Sequence, residues 1–122
     1  DRVTVVEKCN ARYPFTLPKS VDLITIDVSF ISLRLIIPSI STHLKFGKPI
    51  IALVKPQFEA ERGEVGRGGI VRNPQIHQKV MANITEWSIQ NGFTIKNNCS
   101  SPITGDSGNK EFFLYLEKPN LL

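Results

Sequence analysis

Apolar and polar positions along the chain fall into two alternating periods. RVTVVE, residues 2–7, alternates and is rich in β-branched residues, which predicts a strand. ARYPFTLPK follows with two prolines and predicts a loop. DLITID, residues 22–27, predicts a second strand that ends in an acid. In SLRLIIPSISTHLKFG the apolar positions Leu33, Ile36, Ile37, Ile40 and Leu44 share one face, a helical spacing. Pro38 demands a kink or a late start there, and Gly47 is a candidate cap. PIIALV, residues 49–54, is an unbroken apolar run of strand length, as expected of a parallel strand buried on both faces.

A Gly-rich, charge-dotted loop separates that run from a second helical pattern. Asn73 is a good N-cap and Pro74 a good first helical residue. Ile76, Val80, Ile84 and Trp87 form the stripe, and Gly92 can close the helix. FTIKNN then predicts a strand, SSPITGDSGNK a loop, and EFFLYLEK, residues 111–118, a last strand. The order strand, strand, helix, strand, helix, strand, strand predicts an α/β fold. Its sheet should be mainly parallel, with one antiparallel edge strand at the end.

Two of these strands run into a charge: DLITID ends in Asp27, and PIIALV is followed at once by Lys55. EFFLYL opens with Glu111. In a doubly wound sheet, ligands sit beyond the carboxyl ends of the parallel strands. If the last strand runs antiparallel, its beginning lies at that same edge, and Asp27, Lys55 and Glu111 converge on one crevice. Each has a plainer explanation: Lys55 can mark where a strand surfaces, Asp27 can cap a turn, and Glu111 can be an ordinary surface acid. Taken together, a partly desolvated lysine beside two carboxylates can orient a hydroxyl, stabilise an alkoxide, or act as a base if burial lowers its pKa.

Composition narrows the partners. The 122 residues allow one small domain, and 41% apolar content is enough for a core. The apolar runs stop well short of the roughly 18 residues of a membrane helix. DRVTVVEKCNARYP lacks the basic-then-apolar pattern of a signal peptide. Cys9 and Cys99 form neither a disulfide framework nor a metal-type spacing, and we expect a cytoplasmic, thiol-reduced protein. Neither His43 nor His77 has an acid or thiol at ligand spacing, so no metal site is expected. The net charge of +4 permits an anionic partner such as RNA. Arg62, Arg67 and Arg72, set among the glycines of the long loop, would suit a phosphate backbone if that loop moves beside the site. An ordinary solvated loop is the plainer alternative, and the absence of GxxxxGK[ST] excludes a P-loop.

DLITIDVSFISL, ALVKPQFEAERGEVGRGGIVRNP and SPITGDSGNKEFFLYL together resemble the haemolysin A family, also called TlyA, which are FtsJ-like ribosomal RNA methyltransferases. The resemblance runs across essentially the whole chain in order, and DRVTVVEKCNARY resembles the family's segment around its third strand. It implies a class I, Rossmann-like methyltransferase sheet with an antiparallel last strand. It implies S-adenosylmethionine as methyl donor and a ribose 2′-hydroxyl of ribosomal RNA, free or in a ribosomal subunit, as acceptor. Asp27, Lys55 and Glu111 match three members of the family's Lys-Asp-Lys-Glu set. By the same resemblance Asp27, Val28, Ser29 and Phe30 form the donor's edge, with Glu7 and Asn10 toward the adenosine. Lys55, Arg62, Arg67, Arg72 and Asn109 are the candidate RNA contacts.

The family's first lysine, its Gly-rich donor loop, its first two strands and its S4-type RNA-binding domain have no counterpart in residues 1–122. In the family's sheet order those two strands lie between RVTVVE and DLITID, which leaves RVTVVE without neighbours. The chain is therefore expected to be the C-terminal portion of one methyltransferase domain, inactive or nearly so alone. Two alternatives stand against this. A non-catalytic RNA-binding module would have no need of the three charged residues. A membrane-lytic haemolysin finds no support in a chain without a spanning segment or a basic amphipathic helix.

Overall fold

The computed structural model describes residues 1–119. Four strands, β1 (Ile24–Ile26), β2 (Pro49–Val54), β3 (Thr94–Ser100) and β4 (Phe112–Glu117), form one sheet in the order β1-β2-β4-β3. Three helices intervene: α1 (Leu33–Ser41) between β1 and β2, then the single turn α2 (Pro56–Glu59) and the long α3 (Pro74–Gln90) between β2 and β3. β1 pairs parallel to β2, and β4 pairs antiparallel to both β2 and β3. Three strands thus run one way and the last runs against them, a mixed α/β sheet as expected. The antiparallel strand is not at the edge, however. It lies inside the sheet, because the hairpin-like return from β3 inserts it against β2.

The core forms where amphipathic helices meet one face of this sheet. Leu33, Ile36, Ile37 and Ile40 of α1 and Val80 and Ile84 of α3 pack with Ile26, Ile50, Ala52, Val54, Leu114 and Leu116 in a single cluster. Burial of such side chains stabilises by about 1.5–3 kcal/mol each before chain entropy is counted. Along β2, buried and half-buried residues alternate, and Ile51 and Leu53 face away from both helices. The expectation of burial on both faces fails here, because among the described residues no helix covers the second face.

Helix ends follow local chemistry. The Asn73 side chain accepts from Gln75 N–H, with Pro74 at the first position, as the sequence predicts. Gly92 closes α3 with φ 91°, a conformation that favours glycine. α1 tolerates Pro38 in its interior and stops at Ser41, before the predicted Leu44. Lys118 Nζ donates to the carbonyl of Ser41, the last residue of α1, and to Leu44 O in the turn beyond it, at 2.8 Å each. Gly47 is therefore no helix cap: it turns the chain into β2, donating N–H to Lys118 O. Residues 2–7 form no strand. They have no ladder partner, and Val3, Val5 and Val6 are exposed. Alternation gives a strand its propensity, but pairing requires a neighbour to receive its hydrogen bonds.

Candidate active site

The antiparallel entry of β4 creates the site. Val54 at the end of β2 pairs with Phe112 at the start of β4, so Lys55 and Glu111 leave the sheet at the same edge. β1, parallel to β2, brings Asp27 there as well. All three residues line one open crevice of about 650 Å³, with Thr25, Ile51, Leu53 and Phe113 as its floor and the 101–106 loop as its far wall. That volume lies within the range of small-molecule sites, about 300–1,000 Å³.

Lys55 Nζ meets Asp27 Oδ1 at 2.7 Å and donates to Ser29 Oγ at 3.2 Å. The pair is lopsided. The lysine side chain is 14% exposed and the aspartate 70%. An ion pair with one partner in water contributes little to stability, and its effect here is to aim the ammonium at the crevice. Glu111 is nearly buried and accepts from Gln57 Nε2 at 3.0 Å. Gly105 lies against its carboxylate so closely that a Cβ built there would fall on the carboxylate atoms.

Sequence reasoning missed Gln57, Glu59 and Gly105. Glu59 accepts from Ser32 Oγ and from Leu33 N–H, each at 2.7 Å, and so ties α2 to the start of α1. Burial pushes its carboxyl above the usual range, against the opposing pull of those two bonds and of Arg34. One signal was available. A proline directly after Lys55 marks a first helical position, and a turn there folds Gln57 and Glu59 back over the edge.

The basic loop is less free than its glycines suggest. The capping box of Glu61 and Glu64 closes the turn Arg62–Glu64, and Lys79 Nζ meets Glu64 Oε2 at 2.7 Å. That bond holds the Glu64 carboxyl below its ordinary value and raises Lys79. Arg62, Arg67 and Arg72 are exposed, and Arg72 Nη1 donates to Arg67 O at 3.3 Å. Asn109 lies inside the fold. It is 2% exposed, accepts from Val71 N–H and donates to Gly69 O and Asp106 O, pinning the loop to the turn before β4. A short amide can hold three backbone groups only from inside the fold.

Of the expected donor contacts, Asp27 lines the crevice, Ser29 is tied to it through Lys55, and Val28 is half-buried against the core. Phe30 is exposed at φ 62°, its ring 4.9 Å from that of Phe58. Glu7 and Asn10 are not among the residues that line the crevice. Both are exposed on the unpaired leading segment, where the Asn10 side chain accepts from Arg12 N–H.

A sheet with its last strand antiparallel, and charged groups gathered beyond its parallel strand ends, is the class I methyltransferase arrangement the resemblance implies. The chain belongs to the FtsJ-like methyltransferase family, whose model matches residues 1–118. It is 48% identical over 122 residues to YqxC of Bacillus subtilis (strain 168), described as a candidate rRNA methyltransferase, covering 98% of this chain and 43% of that protein. It is 38% identical over 117 residues to the 16S/23S rRNA (cytidine-2′-O)-methyltransferase TlyA of Mycobacterium tuberculosis, covering 94% and 44%. A solved structure from Streptococcus thermophilus, described as a candidate haemolysin, superposes with a TM-score of 0.92 at 46% identity, covering 98% of this chain and 44% of that one. The chain thus spans less than half the length of the curated relatives named here. Among the described residues no helix is long and apolar enough to cross a membrane.

Proposed function

We propose that the natural protein carrying this chain transfers a methyl group from S-adenosylmethionine to a ribose 2′-hydroxyl of ribosomal RNA, in the cytoplasm. The observation that carries the reading is the Lys55–Asp27 pair at the mouth of a crevice that also holds Glu111. The donor set suits such chemistry. An ammonium and two carboxylates gather at one edge of the sheet, where the exposed Asp27 offers polar atoms. When bound, S-adenosylmethionine supplies an electrophilic methyl on a sulfonium that leaves as a thioether.

The protein's part is positioning and charge. Lys55 donates to the acceptor oxygen and stabilises the negative charge that develops there as the oxygen–methyl bond forms and the sulfonium–methyl bond breaks, and the O–H proton passes to solvent water. Asp27 aims Lys55 and stands at the donor side. Glu111, held by Gln57, closes the network and fixes the hydroxyl's approach. Arg62, Arg67 and Arg72 follow the phosphate backbone on the neighbouring loop.

We read the chain as the C-terminal portion of one longer methyltransferase domain. The half-exposed second face of the sheet, with Ile51, Leu53, Phe113 and Tyr115, is where the rest of that domain packs. On this reading the bare chain transfers nothing above background. Methyl-labelled donor and ribosomal RNA, followed by alkaline hydrolysis, test the proposal. A 2′-O-methyl group blocks strand cleavage at its own linkage, so label is expected in alkali-resistant dinucleotides. Label found only on bases refutes the ribose assignment.

A further inference from the structure

One short turn touches both Glu111 and the segment that follows Asp27. α2 folds back on itself because Pro56 takes the first helical position, with Phe58 N–H bonded to Lys55 O and Ala60 N–H to Pro56 O, each at 2.9 Å. From that turn three side chains reach two other parts of the chain. Gln57 donates to Glu111. Phe58 packs on Phe30. Glu59 accepts from Ser32 and Leu33.

We propose that the turn Pro56–Glu59 is a brace for the methyl-transfer edge, with Glu59 and Gln57 as positioning residues: Glu59 sets the Asp27–Ser32 segment and Gln57 sets the Glu111 carboxylate. The roles rest on the reading given under Proposed function.

Three observations support the brace over simple helix capping. Ser32 already caps α1, accepting from Arg34 N–H at 3.1 Å. A carboxylate is not needed for that purpose, and burying one is costly. What Glu59 adds is a link between α2, directly after Lys55, and the segment that follows Asp27. Second, Phe30 holds φ 62°, a strained conformation for a bulky residue. Such strain persists where surrounding contacts over-determine it, and the contacts on either side are Lys55–Ser29, Phe30–Phe58 and Glu59–Ser32. Third, Gln57 keeps its Nε2 on Glu111 while its Oε1 is buried with no partner among the described residues. Leaving such an acceptor unmet is unfavourable, so its bond to the carboxylate dictates the amide's orientation.

The test uses the natural protein that carries this chain, with Glu59→Ala, Glu59→Gln and Gln57→Leu. Steady-state methyl transfer to ribosomal RNA is read as separate kcat and KM values, and backbone amide shifts are recorded by NMR for each variant. Glu59→Ala and Gln57→Leu are expected to lower kcat about 10- to 100-fold, the scale of a small misplacement of reacting groups, with KM for RNA unchanged. Glu59→Gln should recover most of the loss, since its amide oxygen can accept from Leu33 N–H while its nitrogen donates to Ser32 Oγ. The shifts should divide by arm: residues 27–33 for Glu59→Ala, residues 105–111 for Gln57→Leu, with α3 unmoved in both. If Glu59→Ala does not fold, Gln57→Leu and Glu59→Gln decide. Native kcat in Gln57→Leu and Glu59→Ala, or shifts spread evenly through α3 and β3, overturns the brace. If the unmutated protein moves no methyl to RNA, the functional reading falls, and the shift pattern alone decides whether the brace stands.

Discussion

Lys55 and Glu111 reach the same crevice with opposite degrees of freedom. The lysine swings on a long stem and is fixed only by Asp27 and Ser29. The glutamate is packed, with Gln57 on one oxygen and Gly105 against the whole group. Gly105 has ordinary dihedral angles, φ −89° and ψ −155°, so close approach and not backbone conformation is what demands glycine. Gly105→Ala should therefore push the Glu111 carboxylate away from Gln57. We expect methyl transfer to fall about 10- to 100-fold and unfolding free energy to drop by about 1–3 kcal/mol, as for other overpacked sites. Labelled-methyl assays and denaturant unfolding check the two effects separately. Unchanged transfer would mean that the exact seat of Glu111 is immaterial.

At α1, beside the Ser32 cap, the Glu59 carboxyl reaches Leu33 N–H from α2, 26 residues along the chain. Because burial raises the Glu59 carboxyl, the folded protein holds that proton more tightly than the unfolded chain does. The stability it contributes is full below the ordinary carboxylate range and is lost as pH rises through the raised value. Gln at this position does not titrate. The stability of Glu59→Gln relative to the native chain should thus improve from about pH 4 to about pH 8. Denaturant midpoints measured in parallel across that range test this, since other groups cancel in the difference. A difference that stays flat, or shifts toward the native chain, contradicts it. The same elements show what the sequence makes legible. The stripes of α1 and α3 and the apolar run of β2 were readable because periodicity is local. Asp27, Lys55 and Glu111 were readable because a charge at a strand's end marks a sheet edge. Gln57 and Glu59 were not, because they act on residues 54 and 27 positions away. The interior place of β4 was hidden too, since an antiparallel strand has the same pattern inside a sheet as at its edge. The alternation of residues 2–7 records propensity alone, and no partner strand meets it among the described residues.

One side of the sheet is a packed core and the other is half open, and the crevice lies on the open side. Thr25, Ile51, Leu53 and Phe113 are both its floor and part of the uncovered face. On the proposed reading the rest of a longer domain packs against this face, so catalysis is measured in the natural protein. The direct test of Lys55 is to follow labelled methyl from S-adenosylmethionine into ribosomal RNA, with native protein and Lys55→Met assayed side by side. The account predicts that Lys55→Met folds with the same Tm yet transfers about 10²- to 10³-fold more slowly, as for a lost donor to developing negative charge. Transfer at the native rate by Lys55→Met would contradict it.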